Sequence, residues 1–251
     1  MKQLERIIND LVPFHPTIVL TGGEPLLHKD FIPLIKIIKK NGLSCNIFTN
    51  GTLLSKYANE IINAEIDRVM ISVDGLGATH DKIRGVKGSF SKVVEGINKL
   101  NSLKEQSGKS KPIITINCTI SEGNYSHLID MLEICNYFKF DILHFNHLWF
   151  LSKEQVDEHN QVFQNLFGFP SKSLEGLIVP DLNIDVDILW EQIIKIKKIM
   201  PSVVFFPDLN SKEELLDYYK SPPCPFKQIQ EMLRSLYECE DLTQWRCNTL
   251  S

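Results

Sequence analysis

Thr17-Ile-Val-Leu-Thr21-Gly-Gly-Glu-Pro25 sets the fold class of this 251-residue chain. A short apolar run ends in two glycines and a proline, the pattern of a buried strand closed by a tight turn. Upstream, Leu4, Ile7, Ile8 and Leu11 stand at i, i+3, i+4 and i+7, the stripe of an amphipathic helix that Pro13 and Pro16 end. Downstream, Phe31, Leu34, Ile35 and Ile38 predict a helix over 30–40, with Asn41-Gly42 as its stop. The unit then repeats. Strands are predicted at Cys45–Thr49, Arg68–Val73, Ile113–Ile120 and within Asp141–Trp149. Helices are predicted over 55–64, 89–104 and 124–138, and the polar patch Ser102–Lys111 is read as a surface loop.

Strict strand–helix alternation over about 150 residues implies a parallel sheet with right-handed crossovers, either an open sheet or a partial barrel. In both, ligands meet the loops at the carboxyl ends of the strands. Those ends carry Gly22-Gly-Glu-Pro25, Thr49-Asn-Gly51 and Ser72-Val-Asp-Gly75. Beyond residue 150 the alternation decays, leaving a helix over Val186–Met200, a short strand at Val203–Phe206 and a proline-dense boundary at Ser221-Pro-Pro-Cys-Pro225.

Composition narrows the function classes. With 43% hydrophobic and 23% charged residues the chain is globular rather than disordered. A net charge of −4 gives no basic footprint for nucleic acid. No apolar run is long enough to span a membrane and Met1-Lys-Gln-Leu-Glu-Arg6 has no signal core, so a cytoplasmic location is expected. Six cysteines are too few for a disulfide scaffold; Cys45, Cys118 and Cys135 read as small buried hydrophobes.

The strand-end residues carry the candidate chemistry. Gly22 and Gly23 let a ligand touch the main chain, and Glu24 supplies an acceptor suited to an ammonium or hydroxyl. No Gly-Lys-Ser/Thr follows, and the spacing is not that of a dinucleotide turn, so phosphate binding is disfavoured. A nucleotide-cyclase reading is set aside, because Pro25 and a helix follow the Gly-Gly-Glu. Ser72 and Asp74, two apart, are expected on one side of a strand and suit a ribose diol; an ordinary turn-closing Asp-Gly is the alternative. Arg84 is either a carboxylate clamp or a solvated arginine. Asn50 and Asn117 are polar neighbours or structural groups. His144, His147 and Trp149 either face the mouth or fill core and rim positions.

Taken together, Thr21-Gly-Gly-Glu-Pro-Leu-Leu27, Thr49-Asn-Gly51, Ser72-Val-Asp-Gly75, His80-Asp-x-x-Arg-Gly85 and Gly88-Ser-Phe90 resemble a radical SAM core. The branch most similar is the peptide- and protein-modifying group with C-terminal auxiliary clusters, the SPASM/twitch type. The resemblance covers roughly residues 3–150. It implies a partial (β/α)6 TIM-like barrel with a short C-terminal extension, holding S-adenosylmethionine (SAM) at the strand mouths. It places Gly22, Gly23 and Glu24 by the methionine amino group, Ser72 and Asp74 by the ribose, and Arg84 by the methionine carboxylate. It also implies a 4Fe–4S cluster, a 5′-deoxyadenosyl radical, a peptide or protein substrate, and an electron donor such as a flavodoxin or ferredoxin.

One departure stands out. The family's Cys-x-x-x-Cys-x-x-Cys loop is not in the sequence, whose first cysteine is Cys45. That loop and the first barrel strand are expected to lie before Met1. On this reading the barrel misses its first strand, and the alternatives are a clipped enzyme or a non-catalytic SAM- or peptide-binding remnant. An unrelated α/β-barrel binding module is the third. The expected organisation is a core over 1–150, the rest of the barrel or a linker over 151–220, and a truncated auxiliary-cluster segment over 221–251. In that last segment Cys224, Cys239 and Cys247 are the candidate metal ligands, fewer than the usual four.

Overall fold

The computed structural model describes residues 1–169, 171, 174–179 and 182–220. The helices are Lys2–Leu11 (α1), Phe31–Lys40 (α2), Leu54–Asn63 (α3), Ala78–Arg84 (α4), Ser89–Ser107 (α5), Lys153–Phe167 (α6), Val186–Ile199 (α7) and Lys212–Lys220 (α8). The strands are Thr17–Leu20 (β1), Ser44–Thr49 (β2), Arg68–Ser72 (β3), Ile113–Ile120 (β4), Ile142–His147 (β5) and Val204–Phe206 (β6). The described residues divide into two units, residues 1–147 with 192–207, and the described residues of 148–191 with 208–220.

The first unit holds one six-stranded sheet in the order β1-β2-β3-β4-β5-β6, every neighbouring pair parallel. This is the expected α/β class with a barrel-like parallel sheet. A monotonic order has a direct consequence. Right-handed crossovers that always step the same way lay all their helices on the same face. That face carries Cys45, Ile47, Val69, Ile71, Ile114, Ile116, Cys118, Leu143 and Phe145, all buried. On the other face the alternation leaves Asn46, Phe48, Arg68, Met70, Ser72, Thr119, His144 and Asn146 half-buried, with only Thr115 and Asn117 among its polar residues fully buried.

Two aspartates fasten the amino ends of the strands by the same device. Asp67, one residue before β3, accepts from the Cys45 N–H of β2 at 2.8 Å, and from Lys39 Nζ of α2 at 2.7 Å. It also pairs with Lys111, ahead of β4. Asp141, one residue before β5, accepts from the Ile114 N–H of β4 at 2.7 Å. A carboxylate just ahead of one strand thus satisfies the first free donor of its neighbour, a group that would otherwise be orphaned.

Helices α3 and α5 touch through Gly96, where a Cβ would stand 2.6 Å from Leu54 Cβ and 3.1 Å from the Ser55 nitrogen. Gly51, at φ +79, is pressed between Ile71 and Val93 side chains. The Thr49-Asn-Gly51 turn is therefore seated by packing as well as by its own conformation. In the second unit, Tyr218 donates to the Leu148 carbonyl at 2.9 Å, and Phe150 meets the same ring edge-on at 5.7 Å.

The structure corrects several expectations. Helix α5 runs on to Ser107, so residues 102–107 of the expected loop are helical, with Gly108 in the left-handed conformation as the stop. The helix expected over 124–138 is a 3-10 segment, Tyr125–Asn136, broken at His127. Cys135 is exposed, not buried. No helix among the described residues is long and apolar enough to cross a membrane. Cys224, Cys239 and Cys247 lie outside the described residues.

Burial raises the Asp67 carboxyl, but the hydrogen bonds from Lys111, Lys39 and the Cys45 N–H outweigh it and bring its pKa from 3.8 down to about 2. Its stabilisation is therefore complete above about pH 4 and disappears as pH falls through about 2. Asp67→Asn is expected to cost roughly 1–3 kcal/mol at pH 7, and progressively less below pH 4, in urea unfolding followed across pH. Gly96→Ala is expected to lower stability by about 1–3 kcal/mol, because the facing atoms include main chain that has no room to yield; thermal unfolding of the variant checks it.

Candidate functional site

The carboxyl ends of β1 to β4 bring the motif residues to one rim. Glu24, extended, opens a 3-10 turn over Pro25–Leu27. Its Oε1 accepts from the Leu26 N–H at 3.1 Å and from Thr49 Oγ1 at 2.7 Å, while Oε2 accepts from the Asn50 N–H at 2.8 Å. Glu24 therefore joins the loop after β1 to the loop after β2. Two charge-assisted bonds and a third to its own turn occupy most of its acceptor capacity. One lone-pair direction on Oε2 remains for a ligand.

Asp74 has the same role in the loop after β3. That strand ends at Ser72, so Asp74 lies past it rather than beside Ser72 on it. Its side chain is 4% exposed, with Oδ1 accepting from the Thr119 N–H at 3.0 Å and Oδ2 paired with Arg84 Nε at 2.6 Å. Arg84 is exposed but not free: its Nε edge is taken by Asp74, leaving the terminal guanidinium nitrogens. The Asp74 N–H donates to His80 Nδ1 at 3.2 Å. Burial holds the His80 pKa below its ordinary value, so the ring stays neutral and can accept.

Asn124, which sequence reasoning did not single out, completes the rim. Its Nδ2 donates to the Asp74 carbonyl at 3.0 Å and the Thr119 carbonyl at 2.8 Å, and its Oδ1 accepts from the Ser121 N–H at 2.8 Å. Asp81 accepts from the Gly88 and Phe90 N–H groups and from Ser89 Oγ, which caps α5 from the preceding helix.

What these groups leave uncommitted is the more informative set. Asn50 spends Oδ1 on the Thr52 N–H and Oγ1, at 2.9 and 2.7 Å, and keeps its Nδ2 free among the described residues. Ser72, half-buried, pairs in register with Asn117, which pairs with His144. Asn117 is 5% exposed, and its buried Nδ2 has no partner. Thr115 Oγ1 and His144 Nε2 are likewise buried and unpartnered. All four side chains share the face without helices. Positions Gly22 and Gly23 open onto free space. His147 is buried and sits out of phase with His144, and Trp149 is 44% exposed.

Free amide donors, a hydroxyl and open main chain at strand ends fit an adenosine with its diol and amino-acid tail. A thiolate cluster fits the described residues poorly. Burial pushes the Cys45 thiol up to about 12 and the Cys118 thiol well above its ordinary value, so both stay protonated within strands. Among the described residues no group of three or more His, Cys, Asp or Glu could hold a metal ion.

Comparison with known proteins bears on the family and the fold. The chain is 32% identical over 148 residues to the pre-heme d1 synthase of Dinoroseobacter shibae, covering 58% of this chain and 35% of that protein. It is 34% identical over 126 residues to SkfB, the sporulation killing factor maturation protein of Bacillus subtilis, covering 47% and 27% respectively. The chain spans about a third of the length of these curated relatives. In fold it resembles SuiB of Streptococcus suis, solved with its precursor peptide SuiA, at a TM-score of 0.57 and 14% identity over 87% of this chain and 47% of that one. The sequence profile of the radical SAM superfamily matches residues 1–133, more than half of the 251, and the chain belongs to that superfamily.

Proposed function

We propose that this chain is the SAM-binding core of a radical SAM protein that modifies a peptide or protein substrate. The observation that carries the reading is the set of uncommitted polar groups at and just below the rim: Asn50 Nδ2 after β2, Ser72 Oγ at the end of β3 and, in register with it within β4, the orphaned Asn117 Nδ2. A buried donor without a partner costs about 1–3 kcal/mol, so a fold retains it where a ligand satisfies it. Here Ser72 and Asn117 meet the ribose and base. The remaining Oε2 lone pair of Glu24 and the open Gly22-Gly23 main chain receive the methionine ammonium, and the terminal nitrogens of Arg84 face its carboxylate. Glu24 and Asp74 act chiefly by fixing the loops that carry these contacts.

The superfamily's cofactors are SAM and a 4Fe–4S cluster. The cluster supplies an electron for SAM cleavage when bound. The described residues offer it no ligand set, so no step through it is assigned to them. What they do is bind and orient SAM and shield it from water. The peptide substrate is supported by SkfB, named as a maturation protein, and by SuiB, seen with a precursor peptide. The SPASM/twitch assignment rests on the spacing of Cys224, Cys239 and Cys247. Pre-heme d1 synthase, named for a tetrapyrrole product, supports a second substrate source of different shape.

Calorimetry with the full chain is expected to give a SAM Kd weaker than about 100 μM, roughly −5.5 kcal/mol, because some of the anchoring is metal-borne. Asn117→Ala is expected to weaken SAM about 3–10-fold while leaving the melting temperature unchanged or raised, since it removes an unsatisfied buried group. Asp74→Asn is expected to weaken SAM and lower the melting temperature together. No SAM binding at millimolar concentration, or equal affinity in all three proteins, contradicts the proposal.

A further inference from the structure

The polar face holds a second uncommitted feature, at the opposite end of the strands from the rim. Arg68 opens β3 and shares its face with Met70 and Ser72. It is half-buried, and among the described residues it makes no ion pair and no side-chain hydrogen bond. Its sequence neighbour Asp67 does not neutralise it: strand alternation turns the two apart, and Asp67 is already held by Lys39, Lys111 and the Cys45 N–H. Around it the face offers Asn46 in register on β2 and, one step diagonally on β4, Thr115 with its buried, unpartnered Oγ1; His144, with its unpartnered Nε2, stands higher, on the rung of Ser72 and Asn117. Burial first, and the Arg68 charge second, hold the His144 pKa below its ordinary value. The ring is therefore neutral and supplies no counter-charge to Arg68.

A partly desolvated cation without a counter-charge is costly, and a fork of guanidinium donors matches a carboxylate bidentately. We propose that Arg68, with Asn46 and Thr115, anchors a carboxylate of the substrate toward the amino-end floor of the polar face. The reading rests on that face being the substrate chamber of the proposed SAM-binding core. One arginine among neutral groups balances a single negative charge. A phosphate dianion would leave one charge uncompensated in a chain that is already acidic. The depth adds a length criterion. Arg68 lies four strand residues below Ser72, about 13 Å at roughly 3.3 Å per residue. That rise, measured between main-chain positions, is the upper bound on how far below the cofactor level the anionic end of the substrate sits. An aspartate or glutamate side chain of a peptide and a propionate of a tetrapyrrole both present this alkyl carboxylate.

The test is equilibrium binding to the full chain by two fluorescent acids and their neutral counterparts: a glutamate-containing peptide against its glutamine version, and coproporphyrin III against its tetramethyl ester. At least one acid is expected to bind ten-fold or more tightly than its neutral partner. Arg68→Gln is expected to remove that preference, Arg68→Lys to reduce it, and Thr115→Val to weaken the acid about three-fold. The acid that shows Arg68 dependence identifies the source of the carboxylate. SAM affinity measured on the same proteins is expected to be unchanged, which separates this proposal from the SAM assignment: acid binding that needs Arg68 in a chain that fails to bind SAM leaves the floor site standing and removes the other. Circular dichroism confirms that each variant is folded, and Arg68→Lys, which keeps the charge, serves if Arg68→Gln is not. Equal binding of acid and neutral probes, binding indifferent to Arg68, or no binding of either acid overturns the proposal.

Discussion

The structure depends on the monotonic order of its parallel sheet. Each crossover steps to the next strand in the same direction, so the crossover helices accumulate on one side and none lies on the other. Period-two alternation then sorts the strands into an apolar set that buries against helices and a polar set that does not. Every chemical feature described above belongs to the second set or to the loops at its edge. A doubly wound order would have covered both faces, and Asn117, Thr115 and Arg68 would then be costly groups with no purpose.

Within that frame, carboxylates do most of the positioning. Asp67 and Asp141 fasten the amino ends of strands, and Glu24 and Asp74 fasten the loops at the carboxyl ends. In each case a fixed acceptor takes a main-chain N–H from a neighbouring strand or loop. Such bonds hold the rim rigid without using the polar face itself. The division of labour follows: carboxylates at the edges chiefly preorganise, and the donors of the face, Arg68 among them, are left to bind.

Much of the first unit was legible because its elements carry clean periods. The strands expected at Cys45–Thr49, Arg68–Val73 and Ile113–Ile120 appear within a residue or so of those bounds. Helix α5 overran its expected end because Ser102, Lys104 and Gln106 are polar yet helix-compatible, and Gly108 rather than Ser102 stops it. Helix α6 was missed although Ser152 and Gln155 form a capping box that the sequence displays. The site was legible in position but less so in role. Glu24 and Asp74 were expected to meet ligand atoms, whereas most of their acceptor capacity goes to Asn50, Thr49, Thr119 and Arg84, partners 10 to 45 residues distant that only the register brings near. Asn124 and Arg68 gave no local signal at all, because an asparagine in a turn and an arginine at a strand start are ordinary in isolation.

The central claim is that the face left bare by the crossovers is a ligand chamber entered from the carboxyl ends of the strands. A crystal structure of the full chain grown with SAM tests it most directly. The account predicts the nucleoside on the polar face at the level of Ser72 and Asn117, with the Glu24 bonds to Thr49 and Asn50 kept intact. A nucleoside lodged on the helix-covered side, bound within the second unit, or absent at millimolar SAM would contradict it.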